Sequence, residues 1–150
     1  MLMVELPADD PARGFVTCRM ADACAKGGAG RKYWMPRRVL TAVLHYAETR
    51  RAAAVRAARE AGVYDRMPQA RVLVAAGRTG RLVLRDRDGR ESVVALNALT
   101  PKARARLLRE TPQGLEPVML WLNEDGTPRA KRGWYRTFDG VNARVAPEHP

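Results

Sequence analysis

The residues best suited to chemistry are one lysine and two groups of cations interleaved with aromatic side chains. Lys26 directly precedes two glycines, and the mixed groups are Arg31-Lys-Tyr-Trp34 and Lys131-Arg-Gly-Trp-Tyr-Arg136. Lysine and arginine cannot be buried cheaply, so they face water or an anion, and neighbouring rings can anchor such a surface beside phosphates. The pattern therefore predicts nucleic-acid contacts from Arg31, Lys32, Lys131, Arg132 and Arg136.

Composition points to the same class of partner. The chain has 150 residues, and 27 Lys+Arg against 16 Asp+Glu give a net charge of +11 and a pI near 10.8. Cations that neutralise phosphates release condensed counterions, so this balance favours a polyanion such as double-stranded DNA. The alternative is an arginine-rich composition that forms no patch.

Several other function classes find no support in the sequence. The glycines at 27–30 have neither the dinucleotide-binding spacing nor the Lys-Ser/Thr ending of a phosphate-binding loop. Ser92 is the only serine and lies in a strand pattern, while Cys18 and Cys24 make no zinc spacing with only two histidines. We therefore expect no metal and no cofactor. The longest apolar runs, such as 72–76 and 118–122, are far too short to span a membrane, and the start of the chain lacks the basic segment of a secretory signal, so we expect a cytoplasmic protein without membrane contact.

The hydrophobic pattern predicts a single α+β unit that is mainly helical. Glycines at 27–30 predict the turn of a β-hairpin whose first strand ends at Lys26, and Pro36 and Thr100-Pro101 are typical of helix starts. The rings of Trp34, Trp121, Trp134 and Phe138 are expected in the core and not as stacking platforms. The predicted elements are a hairpin over 15–35, an amphipathic helix over 36–61, a small sheet over 71–96, a helix over 101–110, a strand over 118–122 and a helix over 133–146.

The segment around Lys26 resembles a known family. Ala25-Lys-Gly-Gly-Ala-Gly-Arg-Lys-Tyr-Trp-Met-Pro36 is similar to the Lys-Gly-Gly/Lys-x-Gly-Arg-x-Tyr/Trp-x-Pro stretch of phage-type tyrosine recombinases, the site-specific integrases. The resemblance extends over nearly the whole chain from about residue 5. It continues in the runs Arg51-Ala-Ala-Ala-Val-Arg-Ala-Ala-Arg-Glu-Ala-Gly-Val-Tyr64, Leu115-Glu-Pro-Val-Met-Leu-Trp-Leu-Asn-Glu-Asp-Gly-Thr-Pro128 and Trp134-Tyr-Arg-Thr-Phe-Asp-Gly-Val-Asn-Ala-Arg144.

The resemblance implies part of a tyrosine-recombinase-like catalytic domain, with an N-terminal β-hairpin, a long amphipathic helix, a small β-hairpin and C-terminal helices, and it also implies a partner and a catalytic residue. In this family a β-hairpin carries a catalytic lysine into the DNA, where it acts as general acid to the leaving 5′-oxygen while a tyrosine forms a 3′-phosphotyrosine link. Carried over to this chain, the lysine is Lys26. The implied partners are double-stranded DNA and other recombinase protomers on it, without metal or nucleotide.

The departures from the family are equally specific. The chain shows no arginine box before the hairpin, and it stops at Pro150, where a His-x-x-Arg box and then the tyrosine nucleophile are expected to follow. By position none of its own tyrosines is that nucleophile, and packing is expected for Tyr33, Tyr46, Tyr64 and Tyr135.

These observations predict a DNA-binding part of an integrase catalytic domain that is inactive alone and associated with the nucleoid, and they leave its enzyme status open. The alternatives are a non-enzymatic basic nucleic-acid-binding module and a domain whose arginines bind an acidic protein.

Overall fold

The computed structural model describes residues 1–8, 12–77 and 80–145, and for residues 131, 132 and 145 the backbone alone. Two antiparallel strands, β1 (Phe15–Arg19) and β2 (Lys32–Pro36), form a ribbon in which Thr17 lies opposite Trp34. Val16 and Cys18 point inward and pack on Leu40 of the following helix. The predicted hairpin is confirmed, and its apolar alternation fixes which side faces the core.

The connection between the two strands differs from the prediction. Residues 20–31 carry two short 3₁₀ turns, Asp22–Cys24 and Lys26–Gly28, so the expectation that Lys26 ends a strand is wrong. The Asp22 carboxylate accepts a hydrogen bond of 2.9 Å from the backbone N–H of Gly30, which closes the loop on itself. Lys26 therefore lies in a looped tip beyond the ladder.

The long helix predicted over 36–61 is confirmed in three consecutive parts. They are α1 (Arg37–Tyr46), a π-helical turn (Ala47–Arg51) and α2 (Ala52–Glu60). The helix ends at Gly62, whose φ of 64° suits a residue without a side chain. The π-helical turn ends at Arg51, whose side chain is buried among backbone carbonyls.

A five-stranded sheet dominates the rest of the chain, so the expectation of a mainly helical fold is wrong. Its strands are β3 (Arg71–Ala76), β4 (Arg81–Arg85), β5 (Glu91–Ala95), β6 (Leu107–Thr111) and β7 (Gly114–Pro117), in the order β5-β4-β3-β6-β7. Only the β3–β6 pair is parallel. The predicted small sheet over 71–96 is its β3–β5 half.

The helix predicted over 101–110 is wrong beyond its first turn. Thr100 caps α3 (Pro101–Arg104) by accepting a hydrogen bond of 3.2 Å from the N–H of Ala103, as its sequence indicates. The chain then enters β6, where Leu107 and Leu108 are both buried because they lie in cores on opposite faces of the sheet. Two adjacent leucines fit a strand buried on both sides as well as they fit a helix.

The strand predicted over 118–122 is also wrong. This segment forms only isolated bridges, Leu2 with Met119 and Leu122 with Pro128, although Val118 and Leu120 are fully buried. The last predicted helix corresponds to α4 (Lys131–Val145). None of the helices in the described ranges is long and apolar enough to span a membrane.

Candidate nucleic-acid interface

The outward side of the β1–β2 ribbon combines exposed rings with exposed cations. Because side chains alternate along a strand, residues with buried neighbours present the opposite face to water. We call this side the ribbon face, and it consists of Phe15, Thr17, Arg19, Lys32 and Trp34. It is built by the same apolar alternation that seats the ribbon on α1.

Trp34 is the most distinctive residue of this face. Its side chain is 79% exposed, and Phe15 on the neighbouring strand is 60% exposed. The expectation that Trp34 belongs to the core is therefore wrong, since Tyr33 and Met35 on either side of it supply the inward contacts. Two large rings on adjacent strands are thus left in water on the same side of the ribbon. The expectation of a core position is also wrong for Phe138, which is 56% exposed on α4.

The cations of the ribbon face are arranged so that they repel each other. Arg19 lies directly opposite Lys32, and like charges in that relation destabilise a strand pair. Arg19 has one exposed ion pair, with Asp22 at 3.8 Å, while Arg31 and Lys32 have no ion-pair partner among the described residues. A polyanion laid across the ribbon relieves this repulsion.

Lys26 extends from the tip of the same hairpin. It is exposed and has no hydrogen-bond or ion-pair partner in the part of the chain that the structure describes. Gly27 and Gly28 follow with φ of 80° and 72°, a conformation that other residues rarely adopt. A side chain at Gly30 would collide with the Asp22 carboxylate and the Met20 carbonyl, so the loop has little freedom to accept other residues there.

The remaining predicted contact residues lie on a different element. Arg136 is exposed on α4, whereas the side chains of Lys131 and Arg132 lie outside the described part of the structure. The aromatic rings beside them are engaged with each other: Trp134 meets Trp121 edge-on with ring centroids 5.6 Å apart, and Phe138 stacks on Trp134 at 6.0 Å. The structure thus brings Lys26, Arg31 and Lys32 onto one hairpin and leaves Arg136 on another element.

Several arginines make hydrogen bonds within the fold and do not belong to the ribbon face. Arg51 donates to the carbonyls of Met119 (3.2 Å) and Pro117, and burial lowers its pKa below the ordinary value. Arg104 is buried and bonds Glu5 at 2.6 Å as well as two backbone carbonyls. These two guanidinium groups are enclosed by the fold and do not contribute to an exposed cationic surface.

The tyrosines largely follow their predicted packing role. Tyr64 is buried and donates to the Gly126 carbonyl at 3.1 Å, and the hydroxyl of Tyr46 accepts from the N–H of Leu122 at 3.1 Å. Burial raises the pKa of Tyr33 and of Tyr64 to about 12, which keeps both phenols neutral. Tyr135 differs, because it is 54% exposed on α4.

Sequence reasoning missed Phe15 and Arg19 as members of the face. Phe15 and Arg19 alternate with the buried Val16 and Cys18 along β1. Once Val16 and Cys18 are known to point inward, this alternation places Phe15 and Arg19 on the outward side. No protein-family model, curated protein or solved structure matches this chain.

Proposed function

We propose that this chain binds double-stranded DNA through the ribbon face, as the DNA-docking part of a tyrosine-recombinase catalytic domain. The observation that carries the proposal is the 79% exposed Trp34 beside Lys32 on the uncovered side of a two-stranded ribbon. A two-stranded ribbon fits the major groove of B-DNA, where apolar groups can contact thymine methyls. Arg19, Arg31 and Lys32 then contact phosphates on either side of the groove.

The recombinase part of the proposal assigns Lys26 as the general acid. Lys26 lies at the hairpin tip next to Gly27 and Gly28. Because glycine has no side chain, the backbone there can approach a phosphodiester closely. When a tyrosine hydroxyl attacks the phosphorus, it gives up its proton to a general base from the family's other motifs, the bond to the 5′-oxygen breaks, and the proton from Lys26 Nζ passes to that oxygen. The attacking tyrosine and the arginines that stabilise the pentacovalent phosphate belong to the family's other motifs, and this chain does not match them.

A non-enzymatic nucleic-acid-binding module is the second candidate. It is favoured by the separation between the ribbon face and Lys26, because binding through Trp34, Arg19 and Lys32 uses nothing at the tip of the loop. The two candidates share the interface and differ in the role of Lys26 alone.

The shared interface is tested by fluorescence anisotropy with a labelled duplex. The double variant Arg31→Gln/Lys32→Gln is expected to bind at least about fivefold more weakly at low salt, since two phosphate contacts are lost. The matched control Arg50→Gln/Arg56→Gln removes the same charge from exposed helix positions and should bind like the wild type. Equal weakening in both variants, or tighter binding of single-stranded than of duplex DNA, would refute docking of the ribbon on a duplex.

The role of Lys26 is tested in two steps. Translation of the flanking DNA should reveal a Gly-x-Arg box upstream and a His-x-x-Arg box followed by tyrosine downstream; without them the non-enzymatic module is the better proposal. In a protein extended by those segments, Lys26→Ala should stop cleavage of normal DNA. A bridging 5′-thiolate leaving group needs no acid, so a substrate that contains it should restore cleavage. Failure of this rescue would show that Lys26 is not the general acid.

A further inference from the structure

The two edge strands of the five-stranded sheet, β7 and β5, differ in whether the rest of the chain covers their outward backbone groups. Edge strands expose unpaired backbone groups that can pair with another strand, and natural proteins usually cover or disrupt them. At the β7 edge, Arg59 donates to the carbonyl of Leu115 at 3.1 Å and Arg51 donates to that of Pro117. The β7 edge is therefore capped from the long helix and also carries a proline.

The β5 edge has no such cover among the described residues. The Leu96 N–H donates to the carbonyl of Gly80 (2.8 Å) and the Asp86 N–H donates to that of Arg90 (3.0 Å). These two hydrogen bonds show which residues of β5 direct their backbone groups toward β4. Because inward and outward backbone groups alternate in an antiparallel pair, the N–H and C=O groups of Glu91, Val93 and Ala95 point away from the sheet. Val93 is in addition 59% exposed.

A second copy of the same strand fits this edge best. An antiparallel pairing centred on Val93 lets each of these outward-facing residues exchange two backbone hydrogen bonds with its partner. That register places Val93 against the same residue of the other copy and Glu91 against the other copy's Ala95. It also places the exposed valines of both copies side by side on one face of a continuous sheet.

The charges at this edge are complementary in the same register. Arg81 lies opposite Ala95 within each chain, and neither Arg81 nor Glu91 has a side-chain partner among the described residues. Arg85, the cross-strand neighbour of Glu91, is already paired with Glu110 at 2.9 Å. Across the two-fold axis, Glu91 of one copy and Arg81 of the other are about 10 Å apart at Cα, with only the small Ala95 between them. Their side chains can meet over it.

We infer that the chain forms a two-fold symmetric dimer by antiparallel pairing of β5 with β5, stabilised by two reciprocal ion pairs between Glu91 and Arg81. The interface is distinct from the ribbon face, because no residue is shared between them. It can therefore form with or without DNA.

Analytical ultracentrifugation of the full chain without DNA tests the dimer. The wild type should dimerise, and Val93→Pro should weaken dimerisation by about tenfold or more because it removes an outward N–H and leaves the β4–β5 ladder intact. A wild type that is monomeric at about 1 mM, the weak end of specific association, would overturn the inference.

Charge exchange provides a second test that does not depend on the proline. Glu91→Arg and Arg81→Glu should each weaken the dimer, and the double variant should restore it, because both ion pairs are then re-formed with reversed sign. Arg50→Glu makes the same charge change at an exposed helix position and should leave dimerisation unchanged. A double variant no better than the single variants would show that β5 does not pair in this register.

Discussion

If the chain binds DNA as proposed, the salt dependence of that binding follows from the cations of the hairpin. Four side chains are available for phosphates on this element: Arg19, Lys26, Arg31 and Lys32. Arg19 shares its charge with Asp22 at 3.8 Å, so the proposed interface should neutralise three to four phosphates. A slope of about −0.9 per phosphate then gives log Kobs against log salt a slope of about −2.7 to −3.6. Raising the salt from about 50 to about 200 mM should weaken binding by about 40- to 150-fold.

Neutralising one of these cations should change the slope by a fixed amount. Lys32→Gln should reduce its magnitude by about 0.9, so that the same salt change weakens binding by only about 12- to 40-fold. Anisotropy titrations with a labelled duplex at several KCl concentrations measure both slopes. Lys102→Gln, which removes an exposed lysine from α3, is the control and should leave the slope unchanged.

Two results would refute this reasoning. A slope near −10 would mean that cations over the whole surface contact DNA, as the net charge of +11 alone suggests. An unchanged slope in the Lys32→Gln variant would mean that the contacts lie on another element.

Three further predictions concern the fold that holds the ribbon. Arg104→Met should cost about 3–5 kcal/mol of unfolding free energy in urea denaturation, because it leaves Glu5 and two carbonyls without their partner; a cost below about 1 kcal/mol would contradict the buried ion pair. Tyr64→Phe should cost about 1–2 kcal/mol at pH 8. The pKa of Tyr64 in the folded protein is raised to about 12. The wild type should therefore keep its higher unfolding free energy up to about pH 10 and lose it as the pH rises to about 12. A difference in unfolding free energy that does not change with pH would argue against the raised pKa. Gly30→Ala should destabilise the protein by about 1–3 kcal/mol, measured by thermal unfolding, because its Cβ collides with Asp22; an unchanged Tm would show that the loop adapts.

The sequence predicts the hairpin and the long helix because each has a strong local signal. Gly27, Gly28 and Gly30 favour a turn and the aromatic pair after them favours a strand, while the apolar residues of 36–61 recur at helical spacing. It fails at residues 107–111, where adjacent leucines are buried on both faces of a sheet completed by non-local pairing with β3. The parallel β3–β6 contact joins segments far apart in the chain and leaves no trace in local periodicity.

The candidate site is predicted in part for a similar reason. Cations at Lys26, Arg31 and Lys32 can be identified from composition and spacing, and the structure places them on one exposed hairpin. Trp34 is misjudged because aromatic residues are usually buried, and only the strand register shows that its neighbours take the inward positions. Register is therefore the information that separates a core ring from a surface ring here.

Arginine and lysine occupy different positions in this fold, so the net charge does not show which cations lie on its surface. Arg51 and Arg104 each donate to more than one backbone carbonyl from a buried position. The planar, permanently charged guanidinium can satisfy several acceptors at once, whereas a lysine ammonium is strongly hydrated and loses its charge readily when buried. The lysines with described side chains, Lys26, Lys32 and Lys102, are by contrast all exposed. Two of these three lysines lie on the hairpin that carries Trp34, which is the surface proposed to bind DNA.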